Sequence, residues 1–291
     1  MKYVKFALLA ILGITVVACV ASEPNGLSGV QQSPDASRKP YAMTMSQEVA
    51  RTGSTSQRFE LRHDDCFDLD CRNDRRRVEF QQRNEVSANY VGRTIWYGWS
   101  LYLPQDFPDL APTNTTLGQV QMHGWRAPAW NFNLRNGMLG FQTTNSDMCR
   151  AAGLSEIRGR WTDIVVKADY STAATGENMA EVWINGRLVC SSKQPLISEK
   201  MLQTSPTNAL RFKYGIYNSY VSRWLQRNAT RKVNVPSFTD VHNDSGMVIE
   251  SATNTPFEYD WGVQLPRQVA FYDAMRVGQT REDVDIRMIA Q

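Results

Sequence analysis

Apolar and polar side chains alternate with a period of two along most of the chain from about residue 46 onward, as they do in half-buried β-strands. Aromatic and β-branched runs of this kind occupy residues 94–104, 131–143, 161–171, 180–190 and 271–278. Asn-Gly pairs at 136–137 and 185–186 are hairpin signals, and the sequence has no long stretch of helical periodicity. Many short strands separated by turns predict an all-β fold, a sandwich or jelly roll of two antiparallel sheets.

Three of the predicted strands place ionisable or amide side chains at every second position. Their polar faces are formed by Arg211, Lys213, Gly215 and Tyr217, by Gln119, Gln121 and His123, and by Arg75, Arg77 and Glu79. Exposure to solvent is the alternative explanation for any single strand, but solvent faces are usually mixtures of Lys, Glu, Thr and Ser. We therefore expect the three strands to lie side by side and to form one concave binding face.

β-Elimination in a uronic-acid polysaccharide is a reaction that needs these side chains. The C5 proton lies next to a carboxylate and is poorly acidic, because its removal adds a second negative charge. Arg and Gln can neutralise the carboxylate, while His and Tyr can act as the base and the acid. We expect a cationic groove to lower the pKa of a tyrosine. Gly215 is expected to leave room for a sugar ring between Lys213 and Tyr217.

Short motifs in these strands resemble a known family. Gln121-Met122-His123 matches the QxH motif of jelly-roll polysaccharide lyases, notably alginate and glucuronan lyases, and residues 212–217 are similar to their YFKxGxY strand. Arg77-Val78-Glu79 resembles the core of their RxE strand, and residues 66–80 resemble the Cys-containing approach to it in a bacterial group related to heparin and glucuronan lyases. The resemblance covers about residues 59–278 and implies a jelly-roll lyase with a substrate groove.

The resemblance also implies a role for each residue. Tyr217 would be the acid and, in a syn elimination, also the base. His123 would be the base or a carboxylate neutraliser, and Gln121 and Arg77 would bind the uronate carboxylate. Further substrate contacts are expected from Lys213, Arg75, Glu79, Arg211 and Trp125. The alternatives are that Arg75 flanks the Cys loop, that Arg211 lies at a strand edge, and that Trp125 and Trp130 pack in the core.

Two differences from the alginate lyases bear on the substrate. Ser219 stands where those enzymes usually have Gln, and Gln81 stands where their RxExR strand has its second Arg. Both differences disfavour alginate and leave glucuronan-like or glycosaminoglycan-like chains open. A non-catalytic carbohydrate-binding surface lipoprotein on the same fold is one alternative to a lyase, and a glycoside hydrolase is another.

The N-terminus is predicted to be a targeting segment. Lys2 and Lys5 precede an apolar run at 6–18 that is short for a transmembrane helix, and residues 16–19 resemble a bacterial lipobox. Cleavage after Ala21 is the alternative. The predicted segments are a signal peptide at 1–18, lipidation at Cys19, a linker rich in Ser, Pro and Gly at 19–45, and a jelly-roll domain at 46–291. The protein is therefore expected to be exported, as an outer-membrane or cell-surface lipoprotein or as a periplasmic or secreted protein.

Four cysteines remain when Cys19 is set aside, an even number that suits an oxidising compartment. Of the three possible connectivities, Cys66–Cys71 is favoured because it is local. Cys149–Cys190 is favoured because it flanks candidate neighbouring strands. A zinc site is the alternative, although no CxxC or His-rich spacing accompanies these cysteines. The acidic residues of the first Cys loop are expected to be solvated, with calcium as the alternative; they are Asp64, Asp65, Asp68 and Asp70.

The net charge of +3 is mild and does not suggest nucleic acid as a partner. Clustering of the arginines favours a local anion-binding site over a generally basic surface. We expect an anionic polysaccharide as the partner and membrane contact only through the lipid anchor. We also expect a monomer without metal or cofactor.

Overall fold

The apolar and aromatic runs form strands in the computed structural model, which describes residues 27, 29–144, 148–234, 240–242, 248–250 and 255–289. The strands are β1 (Val30–Gln32), β2 (Met43–Ser46), β3 (Ser56–Leu61), β4 (Arg75–Gln82), β5 (Thr94–Tyr102), β6 (Asn114–Met122), β7 (Pro128–Arg135), β8 (Met138–Thr143), β9 (Cys149–Gly153), β10 (Trp161–Asp169), β11 (Ala180–Ile184), β12 (Arg187–Ser192), β13 (Leu210–Ser219), β14 (Asp240–His242), β15 (Val248–Glu250) and β16 (Gln268–Gly278). The helices are α1 (Leu69–Arg72), α2 (Asn84–Ser87), α3 (Leu154–Ile157), α4 (Glu199–Thr204), α5 (Val221–Asn228) and α6 (Ile286–Ile289), with a 3₁₀ turn at Pro256–Glu258.

Two antiparallel sheets of seven strands form the sandwich. The first has the strand order β1-β4-β13-β6-β7-β8-β9, and the second has the order β12-β11-β10-β5-β16-β3-β2. Strands β14 and β15 pair separately. Neighbours such as β4, β13 and β6 are distant in sequence, which is typical of jelly-roll connections. The predicted all-β jelly-roll fold is confirmed.

Aromatic side chains fill the space between the two sheets. The ring of Phe212 on β13 lies 5.3 Å from Trp99 of the second sheet and 5.9 Å from Trp130. Trp130 Nε1 donates to the Tyr170 hydroxyl over 2.9 Å, and this hydroxyl lies 2.9 Å from that of Tyr97. A buried indole and phenol are thereby satisfied within the core, as such groups usually are. Trp130 is therefore a core residue and not a sugar-stacking one.

Residues at the end of the predicted linker are part of the fold. Strand β1 pairs with β4 and β2 pairs with β3, and Leu27 and Ala42 are fully buried. The linker prediction over 19–45 is therefore wrong from Leu27 onward. Backbone hydrogen bonds hold these short edge strands, so a polar composition with few apolar residues does not reveal them. The predicted signal peptide and Cys19 lie outside the described residues and stay predictions.

Both predicted disulfides are confirmed. Cys66–Cys71 closes a short loop with a Cα–Cα distance of 5.0 Å. Cys149–Cys190 joins β9 to β12 with a Cα–Cα distance of 6.0 Å, and these are edge strands of different sheets. Pairs of this kind are typical of proteins in oxidising compartments. No helix within the described ranges is long and apolar enough to cross a membrane.

Two acidic residues of the first Cys loop are buried, so the expectation of a solvated loop is wrong for them. Asp65 is fully buried and accepts hydrogen bonds from the Tyr41 hydroxyl at 2.8 Å and from the Arg62 amide at 2.7 Å. Asp70 is 1% exposed. Buried carboxylates require hydrogen-bonding partners, and a sequence does not show where those partners lie.

Candidate active site

Strands β4, β13 and β6 are neighbours in the first sheet and bring the three polar strand faces together. In the antiparallel registers, Tyr217 lies opposite Arg77 on β4 and opposite Thr116 on β6. Lys213 lies opposite Gln119. Residues directly opposite each other stand on the same face of a sheet. The three strand faces therefore form one surface, here called the polar face.

Gly215 marks a change of register in the middle of the polar face. Between Lys213 and Tyr217 the β13–β6 pairing shifts by one residue, and Gly215 has a φ of +127°. A Cβ atom on Gly215 would collide with the Val78 carbonyl oxygen and lie 3.0 Å from Glu79 Cα. The expectation that Gly215 leaves room for a sugar is wrong, because the missing side chain would point into the backbone of β4.

We expect Gly215→Ala to destabilise the fold by about 3–5 kcal/mol, the sum of a strained backbone and an overpacked contact. Gly53→Ala is the matched control, because Gly53 has a φ of +62° but nothing within 4 Å of the position of its Cβ. That substitution should cost only about 1 kcal/mol. Urea denaturation of both variants measures the difference, and equal losses would contradict the steric explanation.

Glu79 lies at the centre of the polar face and is surrounded by donors. Its carboxylate accepts from Gln119 Nε2 at 2.6 Å and lies 3.4 Å from Arg77 Nη1 and 3.7 Å from Lys213 Nζ. Glu79 is 1% and Lys213 3% exposed. Burial lowers the pKa of Lys213 to about 8, although Glu79 opposes the shift. Glu79 therefore holds the neighbouring donors in place, and its own charge is compensated within the protein.

Arg77 is held by a second carboxylate. Its Nε and Nη2 donate to the two oxygens of Asp70 over 2.5 and 2.6 Å. Burial lowers the pKa of Arg77, but the adjacent Asp70 carboxylate more than reverses this and raises it. The guanidinium lies over the ring of Tyr217, 4.4 Å from its centroid. Arg77 therefore orients Tyr217, and most of its donors are engaged by protein carboxylates instead of being open to a substrate.

Tyr217 is half-buried beside these charges. Burial raises its pKa to about 12, and the positive charges of Arg75 and Arg77 offset only part of this. The expectation that a cationic groove lowers this pKa is therefore wrong, because the loss of hydration outweighs the attraction of the arginines. Within the described part of the chain the Tyr217 hydroxyl has no hydrogen-bond partner, so it is available to a bound molecule.

His123 lies at the far end of the polar face, just beyond β6. Its amide donates to the Ala209 carbonyl at 2.8 Å, and its Nδ1 lies 2.9 Å from Thr207 Oγ1 and 3.4 Å from Asn84 Nδ2. Thr116, opposite Tyr217, precedes His123 by seven residues of nearly extended chain, which at about 3.3 Å per residue is roughly 20 Å. The backbone positions of His123 and Tyr217 are therefore separated along the sheet, and the base–acid pair stays a prediction.

Gln121 and Arg211 lie opposite each other near His123. Gln121 Nε2 donates to the carbonyls of Trp125 and Arg126 at 2.8 and 3.0 Å, so the loop already uses the donor that was predicted to bind a uronate. Arg211 Nε is buried and has no hydrogen-bond partner among the described residues, and burial lowers the pKa of Arg211. Burial and the charge of Arg211 lower the pKa of His123. These residues form a second cluster, here called the distal cluster.

The other two residues predicted to contact substrate, Arg75 and Trp125, lie in different parts of the structure. Arg75 lies at the start of β4, opposite Ser219 and near Tyr217. Trp125 is partly buried and packs against the core, which favours the packing alternative. Among the described residues no three His, Cys, Asp or Glu side chains are grouped as metal ligands.

Sequence reasoning missed two polar residues of the site. Asp70 anchors Arg77, and its only sequence signal is an acid inside a Cys loop seven residues before that arginine. Asn133 on β7 accepts a hydrogen bond from Thr116 Oγ1 at 2.7 Å. The sequence pattern that could have revealed it is the alternation of Asn131 and Asn133 with apolar residues. This alternation makes β7 a fourth strand with one polar face, beside β6.

Comparisons with solved structures agree with the fold. An endo-β-1,4-glucuronan lyase from the fungus Trichoderma reesei shares 15% identity, covers 90% of this chain and 94% of its own, and has a TM-score of 0.54. A GH131 β-glucanase catalytic domain from Podospora anserina shares 11% identity over 89% of this chain and 88% of its own, with a TM-score of 0.52. An alginate lyase of Polysaccharide Lyase family 7 shares 11% identity over 81% of this chain and 85% of its own, with a TM-score of 0.45.

A comparison with curated protein sequences finds no match. The glucuronan lyase and the GH131 domain, with TM-scores above 0.5, show a shared fold and no more at such low identity. A family model, however, matches the chain directly. The model described as Polysaccharide lyase covers residues 24–276, which include the polar face and all strands of both sheets except the last two residues of β16. The chain therefore belongs to the Polysaccharide lyase family.

Proposed function

We propose that the protein is a lyase that cleaves a uronic-acid-containing polysaccharide by β-elimination. The observation that carries the proposal is the Tyr217 hydroxyl, which has no protein partner in the described residues and lies next to the cations Arg75 and Arg77. These positive charges would attract a uronate carboxylate to a position beside the hydroxyl.

Tyr217 acts alone as base and acid in this mechanism. Its phenolate takes the proton from C5, the C–H electrons form the C4–C5 double bond, and the C4–O4 bond breaks. The leaving O4 then takes the proton back from the phenol. One group can serve both atoms only when H5 and O4 lie on the same side of the sugar, so the reaction is a syn elimination. His123 lies in the distal cluster and takes no part in either proton transfer in this mechanism.

The distal cluster would bind a second carboxylate several sugar units from Tyr217. Arg211→Gln is therefore expected to lower kcat/KM about tenfold on long chains, the loss of a charged hydrogen bond, and to leave the shortest cleaved oligosaccharides unaffected. Arg187→Gln, at an exposed position on the second sheet, is the control and should change neither. An equal loss on short and long substrates would contradict a distal role.

The raised pKa of Tyr217 predicts a specific pH dependence. Because the phenolate fraction grows tenfold per pH unit below a pKa of about 12, kcat/KM should rise with pH from neutral conditions. Lys213 has a pKa of about 8, so its positive charge is present below that pH and lost above it. We expect the rise to bend near pH 8. Lys213→Met should lower kcat/KM at neutral pH and remove the bend, and a wild-type profile that falls from neutral pH upward would refute the assignment.

A substrate screen tests the proposed function. Elimination creates a carbon–carbon double bond conjugated to the carboxylate, which absorbs ultraviolet light, whereas hydrolysis and binding do not. Glucuronan, glycosaminoglycans and alginate should be tested in that order, because Ser219 and Gln81 disfavour alginate. Binding without absorbance would support the carbohydrate-binding alternative. Hydrolysis has less support, because Asp70 and Glu79, the carboxylates at the site, are both paired with cations and are not free to act as acid and base.

The proposal includes the place where the protein works. Uronic-acid polysaccharides are extracellular or envelope polymers, and the two disulfides suit an oxidising compartment. We propose that the chain is exported as a monomer and that lipid on Cys19 is its only membrane contact. Labelling with a fatty-acid analogue, compared between the wild type and Cys19→Ser, tests the anchor.

A further inference from the structure

Asp70 connects a disulfide loop to the residue at the centre of the proposed site. Its two oxygens hold Arg77, and the Arg77 guanidinium covers one face of the Tyr217 ring. A bidentate carboxylate–guanidinium pair fixes the orientation of the guanidinium as well as its distance from the carboxylate. Because Asp70 is 1% and Arg77 7% exposed, water does not compete for these bonds. The position of Tyr217 therefore depends on the position of Asp70.

The position of Asp70 in turn depends on the Cys66–Cys71 disulfide. The disulfide closes a loop with a sequence separation of only 5 residues, and Asp70 lies inside it. Helix α1 in this loop has four residues, too few to be stable by itself. Asp68 has a φ of +46°, which is uncommon for a residue other than glycine and must be held by its surroundings.

The rest of the fold does not need this loop. Strand β4 is paired on both sides, with β1 and β13, by its own backbone ladder. The other disulfide joins edge strands of the two sheets and does not involve β4, β13 or β6. Opening the Cys66–Cys71 bond should therefore release Asp70 while the sandwich stays folded.

We propose that Asp70 is a positioning residue for Tyr217, and that the Cys66–Cys71 disulfide makes this positioning, and with it catalysis, depend on an oxidising environment. The inference rests on the proposed function. A dithiol such as dithiothreitol supplies two electrons and two protons, converts the disulfide into two thiols and itself becomes a cyclic disulfide. Asp70 is then free to leave Arg77, and the guanidinium no longer holds the Tyr217 ring. The oxidised protein is the active form.

The first test is Asp70→Asn, which keeps the shape and removes the charge. We expect kcat to fall about tenfold or more because the ring is misplaced, with KM changed less. Arg77 lowers the pKa of Tyr217 more than the negative charge of Asp70 raises it. Because Arg77 leaves the ring in this variant, the rising part of the pH–rate profile should move to higher pH. Asp70→Glu restores the carboxylate and should recover part of kcat. A profile that is unmoved or that moves to lower pH would overturn the inference, because loss of the Asp70 charge alone gives a move to lower pH.

The second test compares the two disulfides. Cys66→Ser/Cys71→Ser should lower kcat about tenfold at temperatures where the protein is folded, and should also lower the melting temperature because the buried Arg77 loses its partner. Cys149→Ser/Cys190→Ser should lower the melting temperature and keep kcat. In the Cys149→Ser/Cys190→Ser protein, dithiothreitol should lower activity about tenfold, and oxidised glutathione should restore it. Full kcat in Cys66→Ser/Cys71→Ser would overturn the role of the disulfide.

A measurement without substrate separates this inference from the proposed function. Ionisation of Tyr217 is followed by the ultraviolet absorbance of its phenolate as the pH is raised. The absorbance of the same protein carrying Tyr217→Phe is subtracted, so that only Tyr217 contributes to the titration. The titration should move to higher pH in Asp70→Asn, because Arg77 no longer covers the ring, whether or not a substrate has been found. If no substrate gives double-bond absorbance but the titration shifts as expected, the lyase proposal fails and the positioning of Tyr217 by Asp70 through Arg77 stands. An active wild type with an unshifted titration means that only the inference fails.

Discussion

Tyr217→Phe is expected to reduce the rate of elimination by a factor of about 10²–10⁴, the usual contribution of a general acid or base. The loss should appear in kcat, because the hydroxyl has no protein hydrogen bond to give up within the described residues and the ring that Arg77 covers is kept. For the same reason the melting temperature should stay near that of the wild type.

The control for this substitution is Tyr102→Phe. Tyr102 lies in the second sheet, with its ring 5.5 Å from Trp161, and its hydroxyl has no part in the polar face. Initial rates of double-bond formation should match the wild type. Near-normal turnover in Tyr217→Phe would remove the proposed base and acid, and the search would then move to the distal cluster, where His123 is the other ionisable group near neutral pH.

Arg77→Ala is expected to destabilise the fold by about 3–5 kcal/mol, because it leaves the buried Asp70 carboxylate without its partner. It also takes away the hydrogen bonds on one side of Glu79 and the cation that covers Tyr217. Activity should fall even at temperatures where the variant is folded. Arg77→Lys keeps a charge but cannot make the two-pronged bond, so it should recover stability only in part.

Arg72→Ala is the matched control for the loss of an arginine near the same loop. Arg72 forms an exposed ion pair with Asp68 at 3.5 Å, with 67% and 54% of the two side chains exposed. Exposed pairs of this kind contribute little, so urea denaturation should show almost no change. A loss comparable to that of Arg77→Ala would mean that the loop, and not the buried pair, accounts for the stability.

The alternation of side chains was sufficient to predict the strands and the shared polar face. Period two is a local property, and it correctly placed Arg77, Lys213 and Tyr217 on one side of the sheet. The register between strands is not local. The register of the β6–β13 pair shifts by one residue between Lys213 and Tyr217. This shift, together with the residue at which the pairing begins, determines which side chains lie opposite each other. For that reason the sequence could not show that Thr116 is the β6 residue opposite Tyr217.

Burial and long-range pairing account for the other errors. The sequence shows that Arg77 and Lys213 are cations, but not that both are enclosed and held by Asp70 and Glu79. It shows several cations near Tyr217, but not that the lost hydration of its hydroxyl outweighs them. The folded segment at 27–45 escaped notice because its strands are short and their hydrogen bonds come from the backbone.

The buried residue Leu27 limits how far the protein can reach from a membrane. If lipid is attached to Cys19, only the residues from Cys19 to Leu27 separate the lipid from the fold. Fully extended, that stretch would span at most about 30 Å. Because β4 carries Arg77, the polar face stays within a short distance of the bilayer. A long polymer would therefore be cut at the membrane surface, and the enzyme would trim chains that arrive there instead of searching the surrounding medium.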